Sequence, residues 1–404
     1  MIRNEILREL IVKQRKELEE LEKGTLRDGE EEIKILDSFA LIITGVRRCG
    51  KSTLLLQLMK NQRISYYLNL EDPRLEGFEL KDFNKLEEIM EELYGKDGTY
   101  FFDEIQNIDQ WEKYIRHLTD RKKKVVVTGS NASLLSRELG TKLTGRHLTY
   151  ELFPFSFNES LKLGKKKASI NSFKEYFLDG GFPEFLKKSE PTILHRLLSD
   201  IVLKDIAVRY NIKNTEILNK IAIYLVSNVG KEFSYNSIKR MLNIKAIQSV
   251  IDYINYFEGA YLLFSIPRFS YSYKQQQINP KKIYSIDNGF SNYNSASFSK
   301  DHGRMLENLV FINLRRKFKD IMFFQENRKE CDFVIKEKDK VTHAIQVCYE
   351  FNEENEDREI AGLIEAMKEF KLKTGIILTY NQDDEIELKG KKITIRPVWK
   401  WLLE

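Results

Sequence analysis

A short stretch near the N-terminus places an apolar run, a loop bounded by glycines and a leucine-rich run directly after one another. The apolar run covers residues 39–43, and the leucine-rich run covers residues 54–59. Between them, the loop contains Gly45, Val46, Arg47, Arg48, Cys49, Gly50, Lys51, Ser52 and Thr53. This order predicts a buried strand, a tight loop and a helix, which is the context that a phosphate-binding loop requires.

The residue types in this loop are those that hold a triphosphate. Gly45 and Gly50 allow the backbone to wind tightly, so that its N–H groups point at the β- and γ-phosphates. Lys51 adds a positive charge, Ser52 offers a hydroxyl ligand to Mg²⁺, and the helix that begins near Lys51 adds its positive dipole end. We therefore expect ATP and Mg²⁺ as cofactors.

Two acids follow the apolar stretch of residues 99–102, and they are Asp103 and Glu104. A magnesium–nucleotide site needs a carboxylate at a strand end to hold the hydration shell of the metal, and Asp103 has that position. Glu104 is placed to orient or deprotonate the attacking water. Together with Lys51, these acids predict hydrolysis of the nucleotide as well as its binding.

Polar residues after the next apolar run, residues 125–128, are further candidates for the catalytic site. Either Ser130 or Asn131 would touch the γ-phosphate or the attacking water if this strand lies beside the one that carries Asp103. Both residues would serve equally well as caps of the helix that starts near Ala132.

Three arginines lie in or near these motifs. Arg146, just before a fifth predicted strand, would reach the γ-phosphate of its own or of a neighbouring subunit's nucleotide, or else form an ordinary surface ion pair. Arg47 and Arg48 lie inside the loop, where side chains point away from the phosphates, and we expect packing or partner contacts from them.

Composition narrows the class of protein. The chain of 404 residues is too long for a single hydrophobic core, and its net charge of +5 permits contact with nucleic acid without requiring it. Three cysteines do not make a disulfide framework and fit a reducing compartment. No signal peptide or membrane span is visible, so we expect a cytoplasmic protein without membrane contact.

Changes of pattern along the chain predict five regions. They are an N-terminal amphipathic helix (1–30), an α/β core with a parallel sheet (31–157), a helical lid (158–214), a winged helix-turn-helix (215–290) and a second α/β unit (300–404). The winged helix is predicted from three short helices and a hairpin, with a wing at residues 271–282. Asn and Ser residues between 292 and 301 predict a linker.

If the winged helix binds DNA, its third helix, residues 245–257, would read the bases. The residues placed for base or phosphate contacts are Lys239, Arg240, Lys245, Gln248 and Lys274. Winged helices also dock on proteins, and Asp252 and Glu258 in or next to this helix weigh against DNA.

Several of these motifs recur in the same order in a known family. They are residues 45–53, Leu70-Glu71-Asp72-Pro73, Phe102-Asp103-Glu104-Ile105-Gln106, residues 128–131, Leu143-Thr144-Gly145-Arg146, residues 152–157 and Gly180-Gly181-Phe182-Pro183-Glu184. The chain resembles the prokaryotic, largely archaeal, AAA+ ATP-binding proteins with a C-terminal domain of long-unassigned function. The resemblance implies an α/β fold with a P-loop AAA+ core, a winged helix and a restriction-endonuclease-like C-terminal domain. It also implies the roles given above for Lys51, Ser52, Asp103 and Glu104.

The implied nuclease-like domain is only partly supported by its residues. Nucleases of this fold hold Mg²⁺ with an acid on the first helix, an acid on the second strand and an acid-x-Lys on the third. Glu307 and Asp332 match in type and order, but the third strand has the neutral Gln346, and Cys348 replaces the lysine. We therefore expect a retained fold that binds DNA or a partner and does not cleave.

The sequence as a whole favours an ATP-hydrolysing, DNA-binding switch or motor. ATP would lie between the core and the lid, and self-association is expected because AAA+ sites are commonly completed between subunits. An ATPase that remodels or regulates a protein partner is the alternative, and an ATP-gated nuclease is a third hypothesis.

Overall fold

A computed structural model describes residues 2–20, 24–130, 145–297 and 301–404. The chain divides into two compact units, Met1–Phe153 with Gly259–Tyr261, and Pro154–Glu258 with Leu262–Glu404. The predicted boundaries near residues 158, 215 and 300 fall at the start of or inside the second unit, and they stay predictions.

The first unit contains a five-stranded sheet in the order β2-β3-β4-β1-β5. The strands are β1 (Ala40–Thr44), β2 (Ser65–Asn69), β3 (Thr99–Asp103), β4 (Val125–Gly129) and β5 (His147–Glu151). All neighbouring pairs are parallel, which confirms the predicted parallel sheet. Every residue of β1, β3 and β4 is buried, as expected for apolar strands covered on both faces.

Helices pack against this sheet and alternate with its strands along the chain. They are α1 (Asn4–Glu20), α2 (Lys51–Lys60), α3 (Asp82–Tyr94) and α4 (Trp111–Asp120). Parallel strands need such crossover connections, because the chain must return to the same end of the sheet.

The parallel arrangement brings three predicted site segments to one edge. The glycine-bounded loop follows β1, Glu104 follows β3, and Ser130 follows β4, each at the carboxyl end of its strand. Because β4 lies between β1 and β3, its last residues are placed between the loop and the acids.

Helix α1 covers the edge strand β2 and the core beside it. Leu7, Leu10 and Ile11 of α1 are buried in the same apolar cluster as the sheet. The amide of Asn69 on β2 donates to Oε1 of Gln14 over 2.8 Å, so a side chain satisfies part of the open edge. Helix α1 therefore packs on the core of the first unit.

The second unit begins with helices, as the sequence predicted. They are α5 (Phe157–Gly164), α6 (Ile170–Asp179), α7 (Pro183–Lys188) and α8 (Thr192–Asp200), which continues into a π-helical segment, Ile201–Val208. Ser156 begins α5 with a capping box, because its hydroxyl accepts from the amide of Glu159 and the Glu159 carboxylate accepts in return.

A three-stranded antiparallel sheet and five helices follow. In chain order they are α9 (Thr215–Val226), β6 (Glu232–Phe233), α10 (Tyr235–Met241), α11 (Ile247–Gly259), β7 (Leu263–Pro267), α12 (Tyr273–Ile278), β8 (Lys281–Ser285) and α13 (Asn288–Asn294). The sheet order is β6-β8-β7. The segment predicted as a wing contains the helix α12, and the predicted linker at 292–301 begins inside α13.

The C-terminal part is built on a six-stranded mixed sheet in the order β13-β14-β12-β11-β10-β9. Its elements are α14 (His302–Lys317), β9 (Ile321–Glu326), β10 (Lys329–Glu337), β11 (Lys340–Cys348), α15 (Glu356–Glu369), β12 (Thr374–Thr379), β13 (Asp384–Leu388), β14 (Lys391–Pro397) and α16 (Val398–Trp401). Strands β9 to β11 are antiparallel, whereas β11, β12 and β14 run parallel.

Candidate functional site

The loop after β1 needs glycine at both of its ends. Gly45 and Gly50 have φ angles of +155° and +104°, which side-chain-bearing residues rarely adopt. A Cβ atom at Gly45 would lie 2.1 Å from the carbonyl oxygen of Leu152, so the neighbouring backbone leaves no room for one. Helix α2 begins at Lys51, which confirms the predicted order of strand, loop and helix.

The ammonium group of Lys51 lies inside this loop. Its Nζ atom donates to the carbonyl oxygens of Gly45 and Val46, over 3.1 and 3.3 Å. It is also 3.8 Å from Oε1 of Glu104, and the Lys51 side chain is buried. The positive charge of Lys51 is thus surrounded by the loop and faces the carboxylate of Glu104, the residue directly after β3.

The two residues expected to hold magnesium are in contact. The hydroxyl of Ser52 is hydrogen-bonded to the carboxylate of Asp103. Burial and the neighbouring Glu104 raise the pKa of Asp103, and the hydrogen bonds from Ser52 and Thr128 partly oppose them. One carboxylate and one hydroxyl are oxygen donors of the kind that Mg²⁺ takes beside phosphate oxygens and water, so these residues fit that ion.

Glu104 is held in an unusual backbone conformation directly after β3. Its φ and ψ are 52° and 48°, in the left-handed region, which costs a non-glycine residue about 1–3 kcal/mol. Its carboxylate accepts a hydrogen bond from the side chain of Gln106 and faces Lys51. Strain of this kind persists only where surrounding contacts hold it, and here they aim an acid at the loop.

Sequence reasoning missed Thr128, the residue that makes the contacts from β4. Its hydroxyl donates to Oδ1 of Asp103, and it accepts the backbone N–H of Glu104 over 3.0 Å. The available signal was a polar residue near the end of an otherwise apolar strand, where every side chain is buried.

Ser130 and Asn131 were the residues expected in that role. Ser130 is buried, and its hydroxyl has no hydrogen-bond partner among the residues that the structure describes. Asn131 lies outside the described residues, as do the Leu143 and Thr144 of the family motif. The tie between β4 and the acids is made by Thr128.

Arg146 does not lie near the glycine-bounded loop of its own chain; of the alternatives given for it, the surface ion pair is the one that the structure contains. This arginine precedes β5, which runs parallel to β1, with Ala40 opposite His147. Arg146 therefore lies at the amino end of the strands, and the five residues of β1, at about 3.3 Å each, put about 17 Å of strand between it and the loop. Its guanidinium pairs with Asp120.

The remaining loop side chains differ in their surroundings. Arg47 lies 3.7 Å from a carboxylate oxygen of Glu71. Arg48 has a left-handed φ of 62°, and Val46 and Cys49 are buried. Burial raises the pKa of the Cys49 thiol, so it stays protonated at neutral pH.

The residues considered for DNA contact lie around the small three-stranded sheet. Arg240, Lys245, Gln248 and Lys274 are exposed, whereas Lys239 is half-buried. Helix α11 starts at Ile247, so Lys245 precedes it, and Lys274 lies on α12. Gln248 donates to Asp252 over 2.8 Å.

The structure does bring together the three residues of the degenerate nuclease-like site. The amide of Asp332 donates to Oε1 of Gln346 over 3.2 Å. Glu307 and Asp332 both accept from the ammonium of Lys282 on β8, a residue that sequence reasoning placed in the wing. Among the described residues, no group of three or more His, Cys, Asp or Glu side chains is arranged to hold a metal ion.

Family models divide the chain into three segments. Residues 37–161 match an AAA domain, which supports ATPase activity in general. Residues 170–301 and 302–401 match two domains of unknown function, DUF8612 and DUF4143.

Similar proteins are found in both archaea and bacteria. An uncharacterized protein of Methanocaldococcus jannaschii is 36% identical over 100% of this chain and 96% of its own length. An uncharacterized protein of Haemophilus influenzae is 30% identical over 91% of this chain and 94% of its own length. The replication initiator DnaA bound to AMPPCP and single-stranded DNA is 18% identical over 57% of this chain and 85% of that one, with a TM-score of 0.30.

Within the ranges that the structure describes, none of the helices has the length and apolar character needed to cross a membrane. The relatives from the two organisms match along almost their whole length, and the AAA-domain match includes the loop and both acids. The chain therefore belongs to the same family as these two relatives, a family of archaeal and bacterial AAA-domain proteins.

Proposed function

We propose that this protein hydrolyses ATP with Mg²⁺ and uses the turnover to change how its second unit engages DNA. The observation that carries the ATPase proposal is the convergence of Lys51, Ser52, Asp103 and Glu104 at one edge of the sheet. A loop that only bound phosphate would not need a second acid in a strained backbone conformation beside the first.

In the proposed reaction, water attacks the γ-phosphorus, the bond to the bridging oxygen of ADP breaks, and the proton of the water passes to Glu104. Mg²⁺, held through Ser52 and Asp103, would offset the negative charge of the phosphate oxygens. Lys51 supplies a further positive charge. To contact the phosphate oxygens, its ammonium group has to leave the carbonyl oxygens of Gly45 and Val46, to which it donates in this structure. Thr128 holds both acids in register with β4.

The order of elements in the second unit supports a winged-helix interpretation of residues 215–290. A helix and a short strand are followed by two helices and two further strands, and these strands form one antiparallel sheet. Three exposed cations, Arg240, Lys245 and Lys274, surround this region and would meet phosphates. These features support DNA as the partner.

The alternative keeps the ATPase and replaces DNA by a protein partner docked on the same helices. The acid Asp252, which accepts from Gln248 on the face considered for base reading, favours it. An ATP-gated nuclease is a weaker hypothesis, because Gln346 is neutral and burial raises the pKa of the Cys348 thiol to about 12. Such a thiol stays neutral, so it cannot supply the positive charge of a lysine beside an attacking water.

Self-association remains part of the proposal. Since Arg146 lies at the far edge of its own sheet, a catalytic role for it requires the nucleotide of another subunit. Light scattering with and without ATP tests the self-association, and ATP turnover by the wild type and by Arg146→Ala tests the role of this arginine. Turnover that is unchanged in the variant would remove Arg146 from the site.

The central experiment measures ATP hydrolysis by the wild type, Glu104→Gln and the exposed control Glu88→Gln. We expect Glu104→Gln to keep affinity for Mg-ATP and to lose about 10²- to 10⁴-fold in kcat, as is usual when a general base is removed. Glu88→Gln should behave as wild type. Failure of the wild-type protein to bind Mg-ATP would remove the ATPase proposal altogether.

The DNA proposal needs its own measurement, with duplex and branched DNA at several salt concentrations. We expect ATPase stimulation by DNA, and binding that weakens steeply as salt rises. Lys245→Ala should reduce the affinity and the salt dependence, whereas Lys373→Ala, an exposed lysine before β12, should not. Absence of any DNA response, together with co-purification of one protein, would favour the remodelling alternative.

A further inference from the structure

A single lysine occupies the centre of the acid cluster in the second unit. The ammonium nitrogen of Lys282 lies 2.9 Å from Oε1 of Glu307, 3.0 Å from Oδ1 of Asp332 and 2.7 Å from Oε1 of Glu330. Three carboxylates from α14 and β10 thus surround one cation that comes from β8, a strand of the small three-stranded sheet.

Other protein groups also donate hydrogen bonds to these carboxylates. Oε1 of Glu307 also accepts from the hydroxyl of Tyr284 over 2.6 Å. Oδ2 of Asp332 accepts the backbone N–H of Val347 over 2.9 Å. Gln346 accepts from the Asp332 amide and donates to Glu359 over 2.6 Å. The side chains form one connected network around the lysine.

The cluster is closed to solvent on the side of the lysine. The Lys282 side chain is only 4% exposed, and Tyr284 beside it is fully buried. Gly230 closes the side of Oε2 of Glu307, because a Cβ at Gly230 would lie 3.0 Å from that oxygen. The side chains of Glu307 and Asp332 are 10% and 8% exposed, whereas Glu330, at 33%, is the member of the cluster that solvent reaches.

We propose that Lys282 takes the place of a divalent cation in this acid cluster and acts as a latch that fastens the three-stranded sheet to the C-terminal mixed sheet. The ammonium supplies the positive charge that the carboxylates require, and it comes from β8, a strand outside the mixed sheet that carries Asp332. The latch explains how the buried acids Glu307 and Asp332 are kept beside the neutral Gln346 of β11.

The protonation of the lysine agrees with this role. Burial by itself would lower the pKa of Lys282, but Glu307 and Asp332 outweigh it and the pKa is raised well above the ordinary value. The positive charge of Lys282 is therefore present at neutral pH.

The test compares Lys282→Met with Lys281→Met in the full-length chain. Lys281 is the preceding residue of the same strand, and its Nζ lies 5.7 Å from the ring of Tyr235, away from the acids. Because loss of one partner leaves buried charges unpaired, we expect Lys282→Met to lower the thermal midpoint by about 10 °C, and Lys281→Met to lower it far less.

Two additions make the test specific for the cluster. In Lys282→Met, millimolar Mn²⁺ should restore part of the lost stability. The double variant Lys282→Met/Asp332→Asn should be more stable than Lys282→Met without metal, and Mn²⁺ should not stabilise it further. Equal stability of the two lysine variants, or no response of Lys282→Met to Mn²⁺, would overturn the proposal.

The wild-type protein gives a test that does not depend on a folded lysine variant. Mn²⁺ binding measured by electron paramagnetic resonance without nucleotide should be the same for the wild type and for Asp332→Asn. Binding that depends on Asp332, or DNA cleavage with Mg²⁺ that is lost in Asp332→Asn, would show that a metal and not Lys282 serves these acids.

Discussion

The backbone N–H of Glu104 donates to the side-chain oxygen of Thr128 over 3.0 Å, and this bond ties the acid after β3 to the neighbouring strand β4. The same hydroxyl donates to Asp103. One threonine thus fixes both acids relative to each other, and it is buried among apolar strand residues.

Thr128→Val should separate binding from catalysis. Valine has the shape of threonine without its hydroxyl, so the backbone N–H of Glu104 loses its hydrogen-bond acceptor. Because Glu104 is then misplaced, kcat should fall about 10²-fold, while affinity for an ATP analogue changes little. Steady-state kinetics and calorimetric titration measure the two quantities. Thr128→Ser retains the hydroxyl and should keep most of the activity, and wild-type turnover by the valine variant would remove Thr128 from its positioning role.

Gly45→Ala should prevent the loop from folding around a phosphate. The new Cβ would meet the carbonyl oxygen of Leu152 at 2.1 Å, and this oxygen belongs to the backbone and cannot rotate away. We expect loss of measurable Mg-ATP binding and a lower thermal midpoint. Gly77→Ala is the control, because Gly77 also has a left-handed φ of +81° but has nothing within 4 Å of the added atom. Equal behaviour of the two variants would contradict the steric argument.

Lys51→Met should weaken nucleotide binding by about 10- to 10²-fold, the loss expected for one hydrogen bond to a charged group. The side chain lies inside the loop against Gly45 and Val46, and methionine keeps its length. Lys60→Met, at the exposed end of the same helix, should bind as the wild type does. Titration with a fluorescent ATP analogue makes the comparison, and full affinity in Lys51→Met would remove Lys51 from phosphate binding.

Glu307→Gln should change the pH dependence of stability. Burial raises the pKa of Glu307 from an ordinary 4.5 to about 7 in the folded chain, where the groups that face it are Lys282, Tyr284 and Asp332. The folded chain therefore binds a proton that the unfolded chain has released, so the contribution of Glu307 to stability is largest below about pH 4.5 and is lost as the pH rises to about 7.

Glutamine does not titrate, so the variant should lose this decline between pH 5 and pH 7 while other groups keep theirs. Urea unfolding at several pH values measures the difference. The exposed control Glu353→Gln should retain the wild-type profile, and a Glu307→Gln profile that parallels the wild type would contradict the assignment.

Local sequence was sufficient to predict the parts of the site that depend on neighbouring residues along the chain. The glycines of the loop, Lys51 at the start of α2 and the acids at the end of β3 all follow from strand and helix patterns, and each segment carries its own signal. The parallel sheet follows for the same reason, because apolar strands alternate with amphipathic helices.

The residues that sequence reasoning misplaced depend on register and on sheet order. Thr128 contacts the acids because β4 lies between β1 and β3, and Arg146 lies at the wrong edge because β5 runs parallel to β1. Neither relation is visible from the order of residues, since a shift in strand position changes which side chains meet.

The amino-acid sequence by itself determined the phosphate-binding loop, the two acids and the alternation of strands and helices, because these are encoded by residues close together in the chain. Only the tertiary structure decided that Thr128 holds the acids and that Lys282 enters the acid cluster of the C-terminal sheet. Glu307 and Asp332 are 25 and 50 residues from Lys282 in the chain. Contacts over such separations form only when whole elements pack, so no local pattern could specify them.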